Sequence, residues 1–234
     1  MMQMMQNKDK TIVCIAGTDI LSDECLFNAF YGRVSEERRR KTGAYRFEKD
    51  RRLSLGAEVL LYASLEKFGC DRPDRVSFTY GENNKPYIGR DGNIFFNLSH
   101  SGEYVMCAVS DREVGCDIQK MGDDDILLAK KFFLPQEYET IAAQPTEHEK
   151  RDMFYRFWTL KESYMKVTGK GMSMPLDGFE ITVSDKAYLT KNPCGGKYYF
   201  SEYDAPDGYK SALCIADRPC TALPEFIDLK GITI

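Results

Sequence analysis

Two strand-like segments with nearly the same apolar run stand in the two halves of this sequence. Met106-Cys107-Ala108-Val109 lies within residues 104–109, and Leu213-Cys214-Ile215-Ala216 lies within residues 210–216. A helix-rich stretch precedes strands of this kind in each half, and such an internal repeat favours two similar halves. Helices and strands do not alternate regularly enough for a doubly wound parallel sheet. We therefore predict an α+β fold of two similar α/β halves.

Periodicity and end signals predict the elements around these runs. An apolar stripe marks a helix over 48–68, which Gly69 ends. A second long helix spans 147–168 and stops before Gly169. Shorter helices are predicted from Ser35, over 126–133 and from Pro135, and a hairpin turn at Asp91-Gly92. Strands are predicted at 11–16, 76–80, 94–98, 104–109, 114–118, 179–183, 197–203 and 209–216. Gly122-Asp123-Asp124-Asp125 breaks the pattern, and its acids suit the start of the following helix.

Composition predicts a cytoplasmic protein without a membrane partner. No window approaches the roughly 18 consecutive apolar residues of a membrane span, and residues 1–10 lack the apolar centre of a secretory signal. The 8 cysteines contain no C-x-x-C pair, which argues against a zinc knuckle and favours buried, reduced thiols. We expect a monomer.

Charge is distributed unevenly along the chain. The net charge is −4 and the pI is near 5.4, which argues against general nucleic-acid binding. Residues 33–52 nevertheless carry nine basic and four acidic side chains. This segment is either a docking surface for an anionic partner or a solvated helix face. A non-catalytic anion- or nucleic-acid-binding module using this patch is the alternative function, although no matching binding motif accompanies it.

A polar cluster follows the predicted strand at 94–98. Ser99-His100-Ser101-Gly102 places hydroxyls, an imidazole and free backbone N–H groups at a sheet edge, which suits a phosphate. A turn histidine with a structural role is the other interpretation of His100. No acid is spaced to complete a Ser/His/Asp triad, and Ser99 next to His100 cannot readily act with it as nucleophile and base.

Two further segments bring carboxylates to shared faces. Asp117 and Gln119 lie two apart on a strand and so point to the same side. On the predicted helix, Trp158, Glu162 and Lys166 are each four apart and share one face. One or two carboxylates with substrate phosphates commonly hold Mg²⁺. A surface ion pair between Glu162 and Lys166 is the alternative interpretation of the helix segment.

Together these segments resemble the 4′-phosphopantetheinyl transferase superfamily, in its surfactin-synthetase-activating (Sfp-type) branch. The motifs that carry the resemblance, in order, are Asn84-Lys85-Pro86, Asn97-Leu98-Ser99-His100-Ser101, Gly115-Cys116-Asp117-Ile118, and Trp158-Thr159-Leu160-Lys161-Glu162 continuing to Lys166 and Gly169-Lys170-Gly171. The resemblance implies a pseudo-twofold fold with the active site in the cleft between the halves, which we place at 1–119 and 120–234.

The resemblance also implies a reaction and its residues. A serine of an acyl- or peptidyl-carrier protein would attack the β-phosphate of coenzyme A and release 3′,5′-ADP, with Mg²⁺ bound and Mn²⁺ able to substitute. Asp117 and Glu162 match metal-binding acids, Glu162 also matches the base, and Lys166 completes the predicted catalytic set. The positions that match phosphate- and adenosine-binding residues are Arg52, Lys85, Ser99, His100, Lys161 and Lys166. Many members carry an acid at Gln119, so that residue is predicted to bind the metal directly or through water.

Overall fold

The computed structural model describes residues 10–88, 94–122 and 126–232. Among these residues, no helix combines the length and apolar character needed to cross a lipid bilayer. The helices are α1 (Glu24–Tyr31), α2 (Glu36–Ala44), α3 (Glu48–Phe68), α4 (Ile126–Phe132), α5 (Pro135–Ala142) and α6 (Glu147–Val167). The strands are β1 (Thr11–Gly17), β2 (Phe78–Tyr80), β3 (Pro86–Ile88), β4 (Phe95–Ser101), β5 (Tyr104–Ser110), β6 (Val114–Lys120), β7 (Glu180–Val183), β8 (Ala187–Lys191), β9 (Tyr198–Tyr203), β10 (Tyr209–Ala216) and β11 (Pro224–Phe226).

Helices α3 and α6 have 21 residues each and end on local sequence signals. Gly69 terminates α3 in the left-handed region at φ 95°, where a side chain would be strained. Helix α6 begins with a capping box: the Thr146 hydroxyl accepts from the Glu149 backbone N–H, and the Glu149 carboxylate accepts from the Thr146 N–H. The predicted bounds of both helices are confirmed to within one residue.

Each half contains one larger sheet with one long helix packed on it. The first sheet has the strand order β11-β1-β5-β4, and the second has the order β6-β10-β9. Strands β5 and β10, which carry the two similar apolar runs, have neighbours on both sides in their sheets. The predicted fold of two similar α/β halves is thereby confirmed, and the hairpins β2–β3 and β7–β8 are additions to it.

The two larger sheets pack face to face between the two long helices. Alternate residues of β1 and β5, such as Cys14 and Cys107, face the core under α3. Their neighbours Ile15 and Met106 face the second sheet and share a core with Ile118. Because both faces of β5 are covered, its sequence is a continuous apolar run rather than an alternating one.

The halves predicted at 1–119 and 120–234 do not coincide with the two sheets, because one strand at each end of the second half belongs to the other side of the division. Strand β6 crosses that boundary, since it runs from Val114 to Lys120, and it belongs to the second sheet. Strand β11 returns to the first sheet and pairs in parallel with β1, and Leu229 is buried in the first core. The return of the C-terminal segment depends on long-range pairing, which local sequence patterns do not encode. The predicted turn at Asp91-Gly92 and the acids 123–125 lie outside the described residues.

Candidate functional site

The site forms where β4, the last strand of one sheet, lies against β6, the first strand of the other. Ser99 on β4 and Asp117 on β6 are both buried, with 5% and 1% of their surface exposed. The Ser99 hydroxyl donates to Asp117 Oδ1 at 2.7 Å. Two residues predicted from separate motifs are therefore in direct contact.

Helix α6 brings Lys166 to the same carboxylate. Its ammonium donates to Asp117 Oδ1 at 2.6 Å, to Ser99 Oγ at 3.0 Å and to the Cys116 carbonyl at 3.1 Å. Burial has the largest single effect and lowers the pKa of Lys166, but Asp117, Cys116 and Glu162 together outweigh it, so this pKa lies above its ordinary value.

The close approach of α6 to β6 depends on Gly115. A Cβ atom at this position would lie 2.2 Å from the Ser163 carbonyl oxygen and 2.4 Å from the Val167 nitrogen, both backbone atoms. Glycine is therefore required if the helix is to lie this near the strand that carries Asp117.

Glu162 lies one helical turn before Lys166 and close to Asp117. Burial and the negative charge of Asp117 raise the pKa of Glu162, while Lys166 opposes the shift. Since Lys166 pairs with Asp117, and no ion pair of Glu162 is found in the part of the chain that the structure describes, the surface-pair interpretation is wrong. Glu162 is a largely buried carboxylate held beside a second carboxylate.

Gln119 completes this group from the same strand face as Asp117. Its side-chain Nε2 donates to Asp117 Oδ2 at 3.2 Å, so the predicted proximity is confirmed. Within the described ranges, no group of three or more His, Cys, Asp and Glu side chains is arranged as a metal site. The oxygen donors of Asp117, Glu162 and Gln119 nevertheless fit Mg²⁺, which commonly takes one or two carboxylates and completes its shell with phosphate oxygens and water.

His100 extends the site toward α2. Its ring is partly exposed, and partial burial followed by the positive charges of Lys166, Lys41 and Arg38 lowers the pKa of His100. A cavity of about 200 Å³ lies between α2 and strands β2–β4, and Arg38, Lys41, Tyr80 and Leu98 are among its lining residues. Sequence reasoning assigned Arg38 and Lys41 to a basic surface run and missed that they line this cavity and that their charges act on His100.

Three residues predicted to bind phosphate lie elsewhere. Lys161 is fully buried in the second half, where it pairs with Glu137 at 2.8 Å and donates to the Leu176 carbonyl. It points away because adjacent helix residues project about 100° apart. We reassign Lys161 from phosphate binding to the packing of α5 on α6.

Lys85 and Arg52 also lie outside the group around Asp117. The buried Lys85 ammonium bonds Glu113 at 2.5 Å and the Val167 carbonyl at 2.9 Å, and burial lowers its pKa. It therefore ties the β3 segment to the end of α6. Arg52 lines a separate cavity of about 290 Å³ between α1 and α3.

The fold and the site together define a protein of two similar α/β halves with a charged site at their seam, suited to an anionic ligand. The family profile described as 4′-phosphopantetheinyl transferase, N-terminal, matches residues 23–112, and that of the 4′-phosphopantetheinyl transferase superfamily matches residues 113–215. The two matches meet between β5 and β6, where the first sheet gives way to the second.

Full-length relatives agree with these matches. A 4′-phosphopantetheinyl transferase of Bacillus subtilis is 36% identical over 202 residues, covering 83% of this chain and 85% of the relative. The 4′-phosphopantetheinyl transferase Sfp of Bacillus subtilis strain 168 is 32% identical over 194 residues, covering 80% and 84%. The chain belongs to the 4′-phosphopantetheinyl transferase superfamily, and the resemblance in its motifs is confirmed.

Proposed function

We propose that this protein transfers the 4′-phosphopantetheine group of coenzyme A to a serine of an acyl- or peptidyl-carrier protein, in a reaction that requires Mg²⁺. The observation that carries the proposal is the seam between the halves, where Asp117 is bonded by Ser99 and Lys166 beside the carboxylate of Glu162. Phosphoryl transfer depends mainly on positioning and charge neutralisation, which such a group of acids and cations supplies.

In the proposed reaction, the carrier serine oxygen forms a bond to the β-phosphorus of coenzyme A. The bond between that phosphorus and the bridging pyrophosphate oxygen breaks, and 3′,5′-ADP leaves. Glu162 accepts the serine proton, since it is a carboxylate at the seam for which the described residues provide no ion pair. Lys166 and Ser99, which now bond Asp117, are placed to donate to the pyrophosphate oxygens.

Asp117 and Glu162 would hold Mg²⁺, with Gln119 as an additional oxygen ligand or a ligand through water. The bound ion would neutralise negative charge that develops on the pyrophosphate. The Gln119 amide presents its nitrogen to Asp117, so direct ligation by its oxygen requires the amide to rotate.

The nucleotide end of coenzyme A fits the cavity beside His100. Lys41 supplies positive charge to its lining, and Tyr80 and Leu98 provide apolar walls. His100 lies near Lys41 and offers an imidazole that can donate or accept a hydrogen bond. Arg38 lines the same cavity, but its guanidinium pairs with the buried Glu58 at 3.0 Å. We therefore place the anionic ligand of the basic segment in the cofactor cavity.

The carrier protein docks, in this proposal, on α4. Leu127 is 75% exposed and Phe132 is 41% exposed, and Lys130 and Lys131 are exposed between them. Helix α4 follows β6, the strand that carries Asp117, after a short connection. Carrier proteins are generally acidic, so the two lysines complement their charge, and the exposed apolar side chains beside them offer a surface for packing.

The alternative of a nucleic-acid-binding module has less support. Arg38 is bonded to Glu58 and to the Ser54 carbonyl, and Arg39 donates to the Val34 carbonyl. These guanidiniums stabilise the packing of α2 on α3 and present little free charge to a phosphate backbone.

We further propose that the protein works as a cytoplasmic monomer. All 8 cysteines lie in the described residues and are unpaired, and several are buried in the cores, as expected for a protein from a reducing compartment. Size-exclusion chromatography with light scattering tests the monomer: a mass near 26.8 kDa supports it, and a multiple of that mass contradicts it.

The proposed reaction is tested by mass spectrometry of carrier proteins. The protein is incubated with coenzyme A, Mg²⁺ and a panel of apo-carrier proteins, and the phosphopantetheine adduct is sought. Asp117→Ala and Glu162→Ala should each lower the rate by on the order of 10²–10³, since each removes a transition-state contact. The matched control is Asp152→Ala, which removes an acid paired with Lys210 at the surface. Near-normal turnover in both site variants would refute the assignment of the site.

A further inference from the structure

Three polar side chains of β4 replace the backbone hydrogen bonds that would otherwise join it to β6. They belong to alternate residues of β4, and each accepts from the backbone N–H of an alternate residue of β6. The bonds are Cys116 N–H to Asn97 Oδ1 at 2.9 Å, Ile118 N–H to Ser99 Oγ at 3.3 Å and Lys120 N–H to Ser101 Oγ at 3.1 Å. We refer to these three contacts as the side-chain ladder.

The side-chain ladder has the regularity of a parallel strand pair. Each bond joins residues 19 apart in sequence, and the two strands advance together by two residues from one bond to the next. β4 and β6 nevertheless belong to separate sheets, each hydrogen-bonded to its own neighbours. The ladder is thus the polar connection that sets the register between the two halves at the site.

Register matters here because Asp117 lies between two of the ladder's N–H donors. Successive strand residues point to opposite faces, so a slip of one residue would turn Asp117 away from Ser99 and Lys166. Cys116 and Ile118 are fully buried, and Asn97 is only 9% exposed. A buried N–H without a partner is costly, so loss of a ladder acceptor favours displacement of β6.

We propose that Asn97 and Ser101 are positioning residues that hold the Asp117 carboxylate in place through the backbone of β6. Neither side chain bonds Asp117 in the described structure, whereas Ser99 does so directly. Asn97 fixes the strand on one side of Asp117 and Ser101 fixes it on the other. The inference rests on the function proposed above only in taking Asp117 to be a metal ligand.

Binding of Mn²⁺ in the presence of coenzyme A, followed by electron paramagnetic resonance, tests the inference without requiring turnover. Asn97→Ala should weaken Mn²⁺ binding by about tenfold to a hundredfold, the range found when partners that orient metal ligands are removed. The control is Asp228→Ala, because the Asp228 carboxylate also accepts a backbone N–H, from Lys230, but is exposed in the C-terminal segment. Asp228→Ala should leave Mn²⁺ affinity unchanged.

Hydrogen exchange provides a second measurement that a general loss of stability would not reproduce. Asn97→Ala should speed exchange of the Cys116 amide selectively, and Ser101→Ala should do so for the Lys120 amide. Amides of β9 should keep their wild-type rates. If Asn97→Ala folds poorly, Ser101→Ala supplies the test, because Ser101 lies at the more exposed end of the ladder. Ser101→Thr keeps the hydroxyl and should restore both exchange and Mn²⁺ binding.

The possible outcomes separate this inference from the proposed function. Wild-type Mn²⁺ affinity in both Asn97→Ala and Ser101→Ala would overturn the positioning role. So would a uniform rise of exchange through the second half. If the wild-type protein binds Mn²⁺ and coenzyme A, and the variants weaken Mn²⁺ binding, the positioning role of Asn97 and Ser101 is supported. That result would hold even if no carrier protein is modified and the proposed function fails.

Discussion

At the scale of single residues, the site balances two carboxylates against one ammonium. Asp117 is compensated by Lys166 at 2.6 Å, whereas Glu162 is largely buried without an ion pair among the described residues. Burial and a neighbouring like charge both disfavour the ionised form of Glu162. A divalent cation between the two acids would offset that repulsion.

Gln119 is the residue at which added charge should change cation affinity most directly. Gln119→Glu places a third carboxylate beside Asp117 with little change in shape, and divalent affinity rises with ligand charge. We expect tighter Mg²⁺ binding and weaker coenzyme A binding at low Mg²⁺. Gln119→Ala should be mild if water occupies the coordination position and severe if the amide oxygen ligates. The test is to measure the transfer rate as a function of Mg²⁺ concentration for wild type, Gln119→Glu and Gln119→Ala. Indistinguishable curves would show that residue 119 does not act on the metal.

The raised pKa of Glu162 also predicts how its removal affects stability. Because the folded-state pKa lies above the unfolded value of about 4.3, ionisation of Glu162 destabilises the folded protein. The free energy of unfolding of the wild-type protein therefore falls as pH rises from the unfolded-state pKa of Glu162 through its folded-state pKa. Glu162→Gln should raise the free energy of unfolding at pH 8 and leave it nearly unchanged near pH 4, in urea titrations without metal. A gain that is largest at low pH would contradict the assignment.

The sequence could predict the residues of the site better than their environment. The motifs predicted Asp117, Glu162 and Lys166 as one catalytic set, and helical spacing placed Lys166 on the same face as Glu162. The contact of Lys166 with Asp117 was not predicted. Lys161 is adjacent to Glu162 in sequence, yet its ammonium pairs with Glu137. That difference depends on which side of α6 faces the second core, and a motif alone does not encode it.

At the scale of elements, the site depends on how closely α6 packs on β6. The backbones meet at Gly115, while Glu162 and Lys166 project from the helix toward Asp117 on the strand. Local signals predicted α3 and α6 well, because Gly69 and the capping box at Thr146 mark their ends. They missed the eight-residue α1 and strand β11, and the pairing of β11 with β1 is long-range.

Gly115→Ala tests the close approach of α6 to β6. The new methyl group would overlap backbone atoms of α6, so the helix must shift and carry Glu162 and Lys166 away from Asp117. We expect a loss of about 1–3 kcal/mol in the free energy of unfolding and a larger loss of transfer rate than of coenzyme A affinity. Gly231→Ala is the control, because a Cβ atom there would meet nothing within 4 Å. Equal activity in the two variants would show that the helix position is not critical.

Charge reversal on two helices separates carrier docking from cofactor binding. Lys130→Glu on α4 should raise the KM for the carrier protein about tenfold and flatten its salt dependence, because it removes complementary charge. Lys41→Glu on α2 should instead raise the KM for coenzyme A, since Lys41 lines the proposed cofactor cavity. Leu127→Ser should raise the carrier KM, and Leu223→Ser, which is 80% exposed on another surface, should not. If Lys41→Glu raises only the KM for the carrier protein, the basic segment at residues 33–52 is the docking surface instead.

At the scale of the whole molecule, the two halves share too much buried surface to behave independently. The core between the sheets contains Ile15 and Met106 from the first half with Ile118 and Leu213 from the second. Strand β11 then returns the C-terminal segment to the first sheet. A site assembled from β4, β6 and α6 consequently requires both halves to be folded, and we expect a single unfolding transition.

The position of the single tryptophan makes this cooperativity measurable. Trp158 lies in the second half, 5.6 Å from Phe154 between ring centroids, and its fluorescence reports the folding of that half. Leu60 is fully buried under the first sheet, so Leu60→Ala should lower the free energy of unfolding by about 2–5 kcal/mol. If the shared core couples the halves, the midpoint reported by Trp158 should fall by the same amount as the midpoint from far-ultraviolet circular dichroism. Leu223→Ala, at an exposed position, should change the free energy of unfolding by no more than about 0.5 kcal/mol by either probe. A wild-type midpoint by fluorescence together with a lowered midpoint by circular dichroism would mean that the halves unfold separately, and the site would then be lost before the second half melts.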